Sequence, residues 1–458
     1  MQPSICAAVI LLVVGAAVAH QIKQFSEGEL GDFLHFYRAA GAMRRGEDIY
    51  IAAEGRYLYP PFLAFILQPL TFLSAPIAAT VWTLISVTLI CAAAFIAAKE
   101  AAVRWLPGGT AADPALPWGI AASAIVLGAD KIYAVVRLGQ TDGVMLLGFA
   151  CALRWMQRKP WLAGFAIGAS GNIKYLTLIC LPYFLLKRNY NATCSAALAF
   201  AGLVLLPIIE VGPEKILQYA ATSLGGLVRL VTVSAQRVHI FEVSWDRSIS
   251  LTSAVARMSR AANLSGVSTA ICLLLLLIAI LTVLIWISRR HGIRLFHAAR
   301  DESEVGTAAV MHLEWAILVF VAVAFSPQAT ARHMILLMLI YTVGLAILHF
   351  HGTTRQRVFL GAALALVVAS LSLPFWVIGL ASQRGNWRAN GGASWCALFF
   401  VLVLVSIGAR AISHIRAAHT LTPVGILSGA SGGRHAVPKG NRSPLGESDS
   451  HRETPVSH

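Results

Sequence analysis

Residues 75–98 and 265–288 are two long runs without a single charged side chain. A helix rises about 1.5 Å per residue, so roughly twenty apolar residues cross the ~30 Å hydrocarbon core of a bilayer. Inside that core every backbone N–H and C=O must be satisfied by the segment itself or by a closed barrel. No strand-like alternation of about ten residues recurs, which argues against a barrel. Composition agrees: 12% of the 458 residues are charged, 57% are hydrophobic, and the mean hydropathy is +0.71. Soluble chains carry roughly 25% charge, so this chain cannot cover itself with polar surface. The expectation is an all-α, polytopic membrane protein with about 12 transmembrane helices.

The expected spans are 5–21, 75–98, 117–136, 140–156, 161–173, 174–187, 194–211, 265–288, 308–325, 333–350, 357–379 and 393–410. Segments 161–173 and 174–187 are too short to span separately, and are expected to form a tight hairpin turning near Gly171 and Asn172. The run from Ile5 to Ala19 lacks a basic leader and is expected to stay as the first helix rather than be cleaved. The seven cysteines lie in or beside apolar segments with no metal-ligand spacing, as small buried apolar residues do.

The net charge of +15 would suggest nucleic acid in a soluble protein. Here the basic residues cluster in short loops, so no nucleic-acid partner is inferred. Lys99 and Arg104, Arg154, Arg158 and Lys159, Lys187 and Arg188, Arg289 to Arg300, Arg355 and Arg357, and Arg410 and Arg416 all fall on one side, the cytoplasmic one by the positive-inside rule. The opposite side then carries loops 22–74 and 212–264, the turn Arg137-Leu138-Gly139-Gln140, Ser326 to His333, and 381–392. A membrane domain is expected over 1–416. Residues 417–458, rich in Gly, Ser, Pro and His, are expected to be a disordered cytoplasmic tail.

Chemistry concentrates in loop 22–74. Asp32 opens a helical pattern whose apolar face is Phe33, Phe36, Tyr37 and Ala40, expected to lie as an amphipathic helix on the outer leaflet. Asp32 itself has two compatible readings, helix N-cap and catalytic base. Tyr57-Leu58-Tyr59-Pro60-Pro61 reads either as an interface segment or as a substrate contact. No P-loop or dinucleotide fingerprint is present.

These residues carry a resemblance. Asp32-Phe33, Tyr37-Arg38-Ala39-Ala40, Gly46-Glu47-Asp48-Ile49-Tyr50, Tyr59-Pro60-Pro61, Pro69-Leu70 and Trp82 resemble the opening pattern of glycosyltransferase family 87, GT-C-type enzymes that include polyprenyl-phosphate-mannose-dependent mannosyltransferases. Gly139-Gln140, Ala163-Gly164, Gly168, Ile173-Lys174, Pro182, and Ser326-Pro327 with His333 resemble later segments in the same order. Asp142 stands where the family usually has Asn, and Asp246-Arg247-Ser248-Ile249 where it has Asn-Gln-Ser-Leu. The resemblance implies a GT-C-like fold in the cell (plasma) membrane, with outer-face juxtamembrane helices. It implies inverting transfer of a hexose, mannose above all, from a polyprenyl phosphate to a glycan or glycolipid on the extracytoplasmic face. Asp32 is the expected base. A departing lipid phosphate needs cationic donors, for which Lys174, Arg137, Arg332 and His333 are the candidates, with Gln140 and Tyr59 as further substrate-binding residues. Lys174 also has a snorkelling reading; Glu314 reads as structural. Neither a cofactor nor a metal is implied, though Asp48 or Asp142 could add a ligand. The competing reading is a secondary transporter or lipid-linked sugar flippase, which would place ionisable groups at the midplane.

Overall fold

The computed structural model describes residues 2–106, 113–229, 242–297, 306–372 and 383–420, and among them every regular element is a helix. The chain opens with α1 (Pro3–Ser26), which buries Cys6, Val14, Ala17, Gln21 and Phe25. Three short helices follow, α2 (Phe33–Arg44), α3 (Ile49–Ala52) and α4 (Pro61–Leu67). Next come α5 (Ala75–Arg104), then α6 (Ala115–Leu127) and α7 (Ala129–Leu138), which are bent by 64° at Gly128. Helices α8 (Asp142–Trp155), α9 (Pro160–Gly171), α10 (Cys180–Leu186), α11 (Tyr190–Leu205) and α12 (Ile208–Arg229) complete the first half. The second half holds α13 (Leu251–Ala261), α14 (Gly266–Arg290), α15 (Thr307–Ala324), α16 (Leu337–Phe350), α17 (Thr354–Ser372), α18 (Gln383–Ala389) and α19 (Gly392–Thr420). Residues 421–458 of the expected 417–458 tail, 373–379 of the 357–379 segment, 230–241 of loop 212–264, 381–382 of loop 381–392, and Arg300 lie outside the described residues.

Among the described residues, seven helices are long and apolar enough to cross a membrane, and up to nine if each of two bent pairs is one span. The expected count of about 12 is not reached by this measure of length and composition. The remaining three expected segments are α8, α9 and the turn-plus-helix Tyr175–Leu186, all too short to span alone. A twelve- to fourteen-residue helix reaches only about 20 Å. The shortness of 161–173 and 174–187 and their turn at Gly171-Asn172 were expected from the sequence; that of α8 was not, since 140–156 reads as one apolar run. Segment 194–211 is likewise part of a bent pair, α11 with α12, at 101°.

The short helices survive by packing. A Cβ on Gly164 would strike the carbonyl oxygen of Ala192, and one on Gly168 that of Ala196. These two glycines, four residues apart, let α9 lie directly on the backbone of α11, the small-residue route to helix association where lipid supplies no hydrophobic drive. At the centre of the bundle stand α15, the span Ala331–Phe350 and α19, mostly buried; α14 and α17 are mostly outward-facing. Of the cysteines, Cys6, Cys151, Cys180 and Cys396 are buried, while Cys194 and Cys272 stand on exposed faces of α11 and α14.

The helix ends gather into two layers. One holds the Arg104–Glu100 pair at 3.0 Å, with Arg104 also donating to the carbonyls of Leu153 (2.9 Å) and Ala308 (3.3 Å). In the same layer Lys187 pairs with the fully buried Glu314 at 2.8 Å, and Tyr183 donates to that carboxylate. Glu314 is therefore a buried structural acid. The other layer is residues 22–74, whose Phe33, Phe36, Tyr50 and Tyr57 form a second core together with Trp82 of α5 and Tyr219 of α12. Helix α2 is thus not laid bare on a leaflet: Phe36 packs edge-on to Tyr59 (centroids 5.0 Å apart) and Tyr37 donates to Leu73 O. Aromatic partners further along the same loop cover the face that periodicity assigned to lipid. The start of loop 212–264 fastens to this layer, Lys215 donating to Gly46 O (2.6 Å) and Tyr219 to Glu47 O (3.0 Å).

Candidate active site

The site begins with a backbone contact between two turns. Gly139 takes a positive φ of 61° at the end of α7. Its N–H bonds to Val136 O and that of Gln140 to Val135 O, both at 3.0 Å, the paired bonds of a Schellman cap. Gly31 presses against this turn: a Cβ there would sit 3.0 Å from the carbonyl oxygens of Arg137 and Leu138. Asp32 N–H donates to Leu138 O at 2.9 Å, and Trp82 Nε1 donates to Gly139 O at 2.9 Å. Asp32 and Gln140, 108 positions apart, are thereby held side by side.

The Asp32 side chain makes no capping bond to α2. Its Oδ2 instead accepts from Gln140 Nε2 and, at 3.1 Å, from Arg332 Nη1. Of its two sequence readings the cap is removed; Asp48 is the acid that caps, accepting from Tyr50 N (2.8 Å) and Ile51 N (3.1 Å). Gln140 Oε1 accepts from Tyr59 OH at 3.2 Å and faces Lys174 Nζ at 3.4 Å. Lys174 Nζ bonds to Asp142 Oδ1 at 2.8 Å and stands 3.3 Å from His333 Nε2. Thr330 N–H donates to His333 Nδ1 at 3.0 Å, which puts the proton of the neutral ring on Nε2, the edge turned toward Lys174 and Asp142. The start of α13 and the residues before it brace this segment, with Ile249 N donating to Ala329 O at 2.8 Å and Ser253 Oγ to Pro327 O at 3.0 Å.

The structure thus gathers Asp32, Tyr59, Gln140, Lys174, Arg332 and His333. It does not gather Arg137, whose side chain is exposed and outside this network, because the αL turn at Gly139 sends only the chain beyond it inward. Sequence reasoning held Asp142 in reserve; it is central. It is wholly buried at the head of α8, its Oδ2 unpartnered and 3.9 Å from the equally unpartnered Arg332 Nε. The signal was available: an acid opening an apolar segment. The two carboxylates differ in access, the Asp32 side chain being 40% exposed and that of Asp142 0%. One turn beyond Asp32, His35 is buried, and burial, reinforced by Arg56, pushes its pKa below the usual histidine value. Among the described residues no three His, Cys, Asp or Glu side chains gather as a metal-binding group.

The family model for glycosyltransferase family 87 matches residues 57–300, more than half of the chain. The chain belongs to glycosyltransferase family 87. The match takes in Tyr59, Gln140, Asp142 and Lys174, whereas Asp32 precedes it and Arg332 and His333 follow it. The family 87 chain is 24% identical, over 376 residues, to a polyprenol-phosphate-mannose-dependent alpha-(1-2)-phosphatidylinositol mannoside mannosyltransferase of Mycolicibacterium smegmatis, covering 79% of this chain and 78% of that protein. It is 24% identical over 200 residues, 42% of each chain, to the corresponding phosphatidylinositol pentamannoside mannosyltransferase of Mycobacterium tuberculosis. The apolar spans make this family 87 protein a multi-pass membrane protein. Its candidate site offers one accessible carboxylate next to a lysine, an arginine and a histidine N–H, which is the chemistry needed to take a proton on one side and receive a leaving anion on the other.

Proposed function

We propose that the protein is an inverting mannosyltransferase that uses a mannosyl polyprenyl phosphate and a glycolipid acceptor on the extracytoplasmic face. The observation that carries the reading is the accessible Asp32 carboxylate held between Gln140 and Arg332, beside Lys174 and His333. The relatives' names supply the donor and suggest a phosphatidylinositol mannoside as the acceptor. The acceptor hydroxyl gives its proton to Asp32 as its oxygen attacks the anomeric carbon. The bond from that carbon to the phosphate oxygen breaks, and the electron pair leaves with polyprenyl phosphate. A single displacement inverts the centre and needs one base. Arg332, Lys174 and the Nε2–H of His333 meet the charge that grows on the departing phosphate. Arg332 rests on Asp32; a donor phosphate competes for that guanidinium and leaves the carboxylate to the acceptor.

The deciding experiment is transfer by purified protein from radiolabelled mannosyl polyprenyl phosphate to a phosphatidylinositol mannoside. Labelled glycolipid is the expected product; donor moved across vesicles with no new glycosidic bond would instead favour the flippase reading. The orientation rests on the basic layer with Arg104, Arg154 and Lys187 facing the cytoplasm. In a cysteine-free background, Glu54→Cys should react with an impermeant thiol reagent in intact cells and Arg294→Cys should not. The reverse pattern would invert the topology.

A further inference from the structure

In the layer of helix ends that holds Arg104 and Lys187 lies a pocket of about 350 Å³, lined by Gln157, Pro160, Lys187, Arg188, Asn191 and Thr307 among others. It shares no residue with the candidate active site. Three helices begin at its wall: α9 at Pro160, α11 at Tyr190 and α15 at Thr307. Each start presents amides with no partner inside the helix and the positive end of the helix dipole, which together suit a phosphate. Asn189 Oδ1 caps α11 by accepting from Ala192 N at 3.2 Å, while α9 and α15 have no side-chain cap bond.

The two cations of the pocket differ. Lys187 is engaged, its Nζ lying 2.8 Å from Glu314 Oε2 and donating to His297 O at 2.8 Å. Arg188 is exposed and pairs with no acid among the described residues. Its φ is 55°. It closes the Schellman cap of α10, in which Arg188 N donates to Leu185 O and Asn189 N to Phe184 O, both at 2.9 Å. Glycine or asparagine ordinarily takes that left-handed position, because the Cβ of other residues is crowded there. A long cation is thus held where the backbone disfavours it, at the wall of a pocket rimmed by helix starts. Outside that rim the surface is apolar. Trp161, Leu185, Leu186 and Tyr190, each within two residues of a lining residue, are more than half exposed. In a chain that crosses a bilayer such side chains meet acyl chains, and Trp and Tyr mark the headgroup level.

We infer that this pocket receives the phosphodiester of an anionic phospholipid, with Arg188 as its counter-ion and the acyl chains against Leu185, Leu186 and Trp161. Basic pockets between membrane helices suit such headgroups, and the apolar rim favours a lipid over a free phosphate. The inference does not depend on the proposed reaction.

The test uses the full-length protein, delipidated in detergent, with phosphatidylglycerol and phosphatidylcholine as probes. Native mass spectrometry should show phosphatidylglycerol retained over phosphatidylcholine, and only phosphatidylglycerol should raise the melting temperature. Without lipid, Arg188→Asn should melt at or above the wild-type temperature, since asparagine takes the left-handed position more readily. It should nonetheless bind phosphatidylglycerol about fivefold more weakly, the worth of one basic residue at an anionic lipid surface. Arg289→Gln, which removes an exposed arginine on the last turn of α14 outside this pocket, should bind it as the wild type does. Equal retention of the two lipids, or an undiminished affinity in Arg188→Asn, would overturn the site. Equal losses in Arg188→Asn and Arg289→Gln would overturn it as well, leaving only a general effect of charge. Inorganic phosphate that displaces the lipid and stabilises the protein equally would make this a free-anion site and remove the lipid.

Discussion

Asp32→Asn should leave a folded protein that binds donor lipid and transfers sugar at least about a hundredfold more slowly, the range general-base precedent sets. Asparagine has nearly the shape of aspartate and can still accept from Gln140 and Arg332, but it cannot take a proton. Because the Asp32 side chain makes no capping bond to α2, little stability depends on it. Its pair with Arg332 is partly exposed, and such pairs contribute about 0–1 kcal/mol. The measurements are kcat at saturating donor and acceptor, and a melting curve in the same detergent. Asp48→Ala is the matched control. It removes a true cap at a cost of about 1 kcal/mol, and should keep its rate. A near wild-type rate in Asp32→Asn would remove Asp32 as the base. The reading would then have to turn to Asp142, which is wholly buried in the structure.

The second large effect is on Lys174. Lys174→Ala leaves Asp142 buried without its 2.8 Å partner, and breaking a buried pair from one side costs about 3–5 kcal/mol. It should also weaken donor binding, since a cation beside the leaving phosphate is lost. The double variant Lys174→Ala with Asp142→Asn removes both charges. It should recover most of the stability and none of the donor affinity. Lys174→Arg should keep part of the function, with charge retained but geometry altered. Thermal unfolding and the donor KM, measured on all three, separate the roles. A double variant that recovers transfer along with stability would reduce Lys174 to a counter-ion for Asp142. The snorkelling reading is already answered by geometry: the ammonium turns inward to Gln140, Asp142 and His333.

What the sequence determined by itself was the class of molecule and the residues to watch. Runs such as 75–98 have no alternative to a membrane helix, because apolar length and backbone satisfaction are local properties. The opening pattern around Asp32 and Tyr59 likewise lies within one short stretch, and it pointed to family 87 before any coordinate did. What only the tertiary structure decided was which of those residues meet. Arg137 and Gln140 are three residues apart, yet one is exposed and the other buried against Asp32, because Gly139 reverses the chain between them. Asp142 found its lysine 32 positions away, and Arg332 found Asp32 300 positions away. Sequence separation carries no record of such pairings. The number of spans was hidden for a related reason. Helices α8 and α9 are as apolar as true spans, and they pack closely on their neighbours, α9 on the backbone of α11 at Gly164 and Gly168, and α8 on α5 at Gly143 and on α9 at Gly148. Hydropathy reports a segment's solvent preference; whether protein or lipid satisfies that preference is a property of the assembled fold.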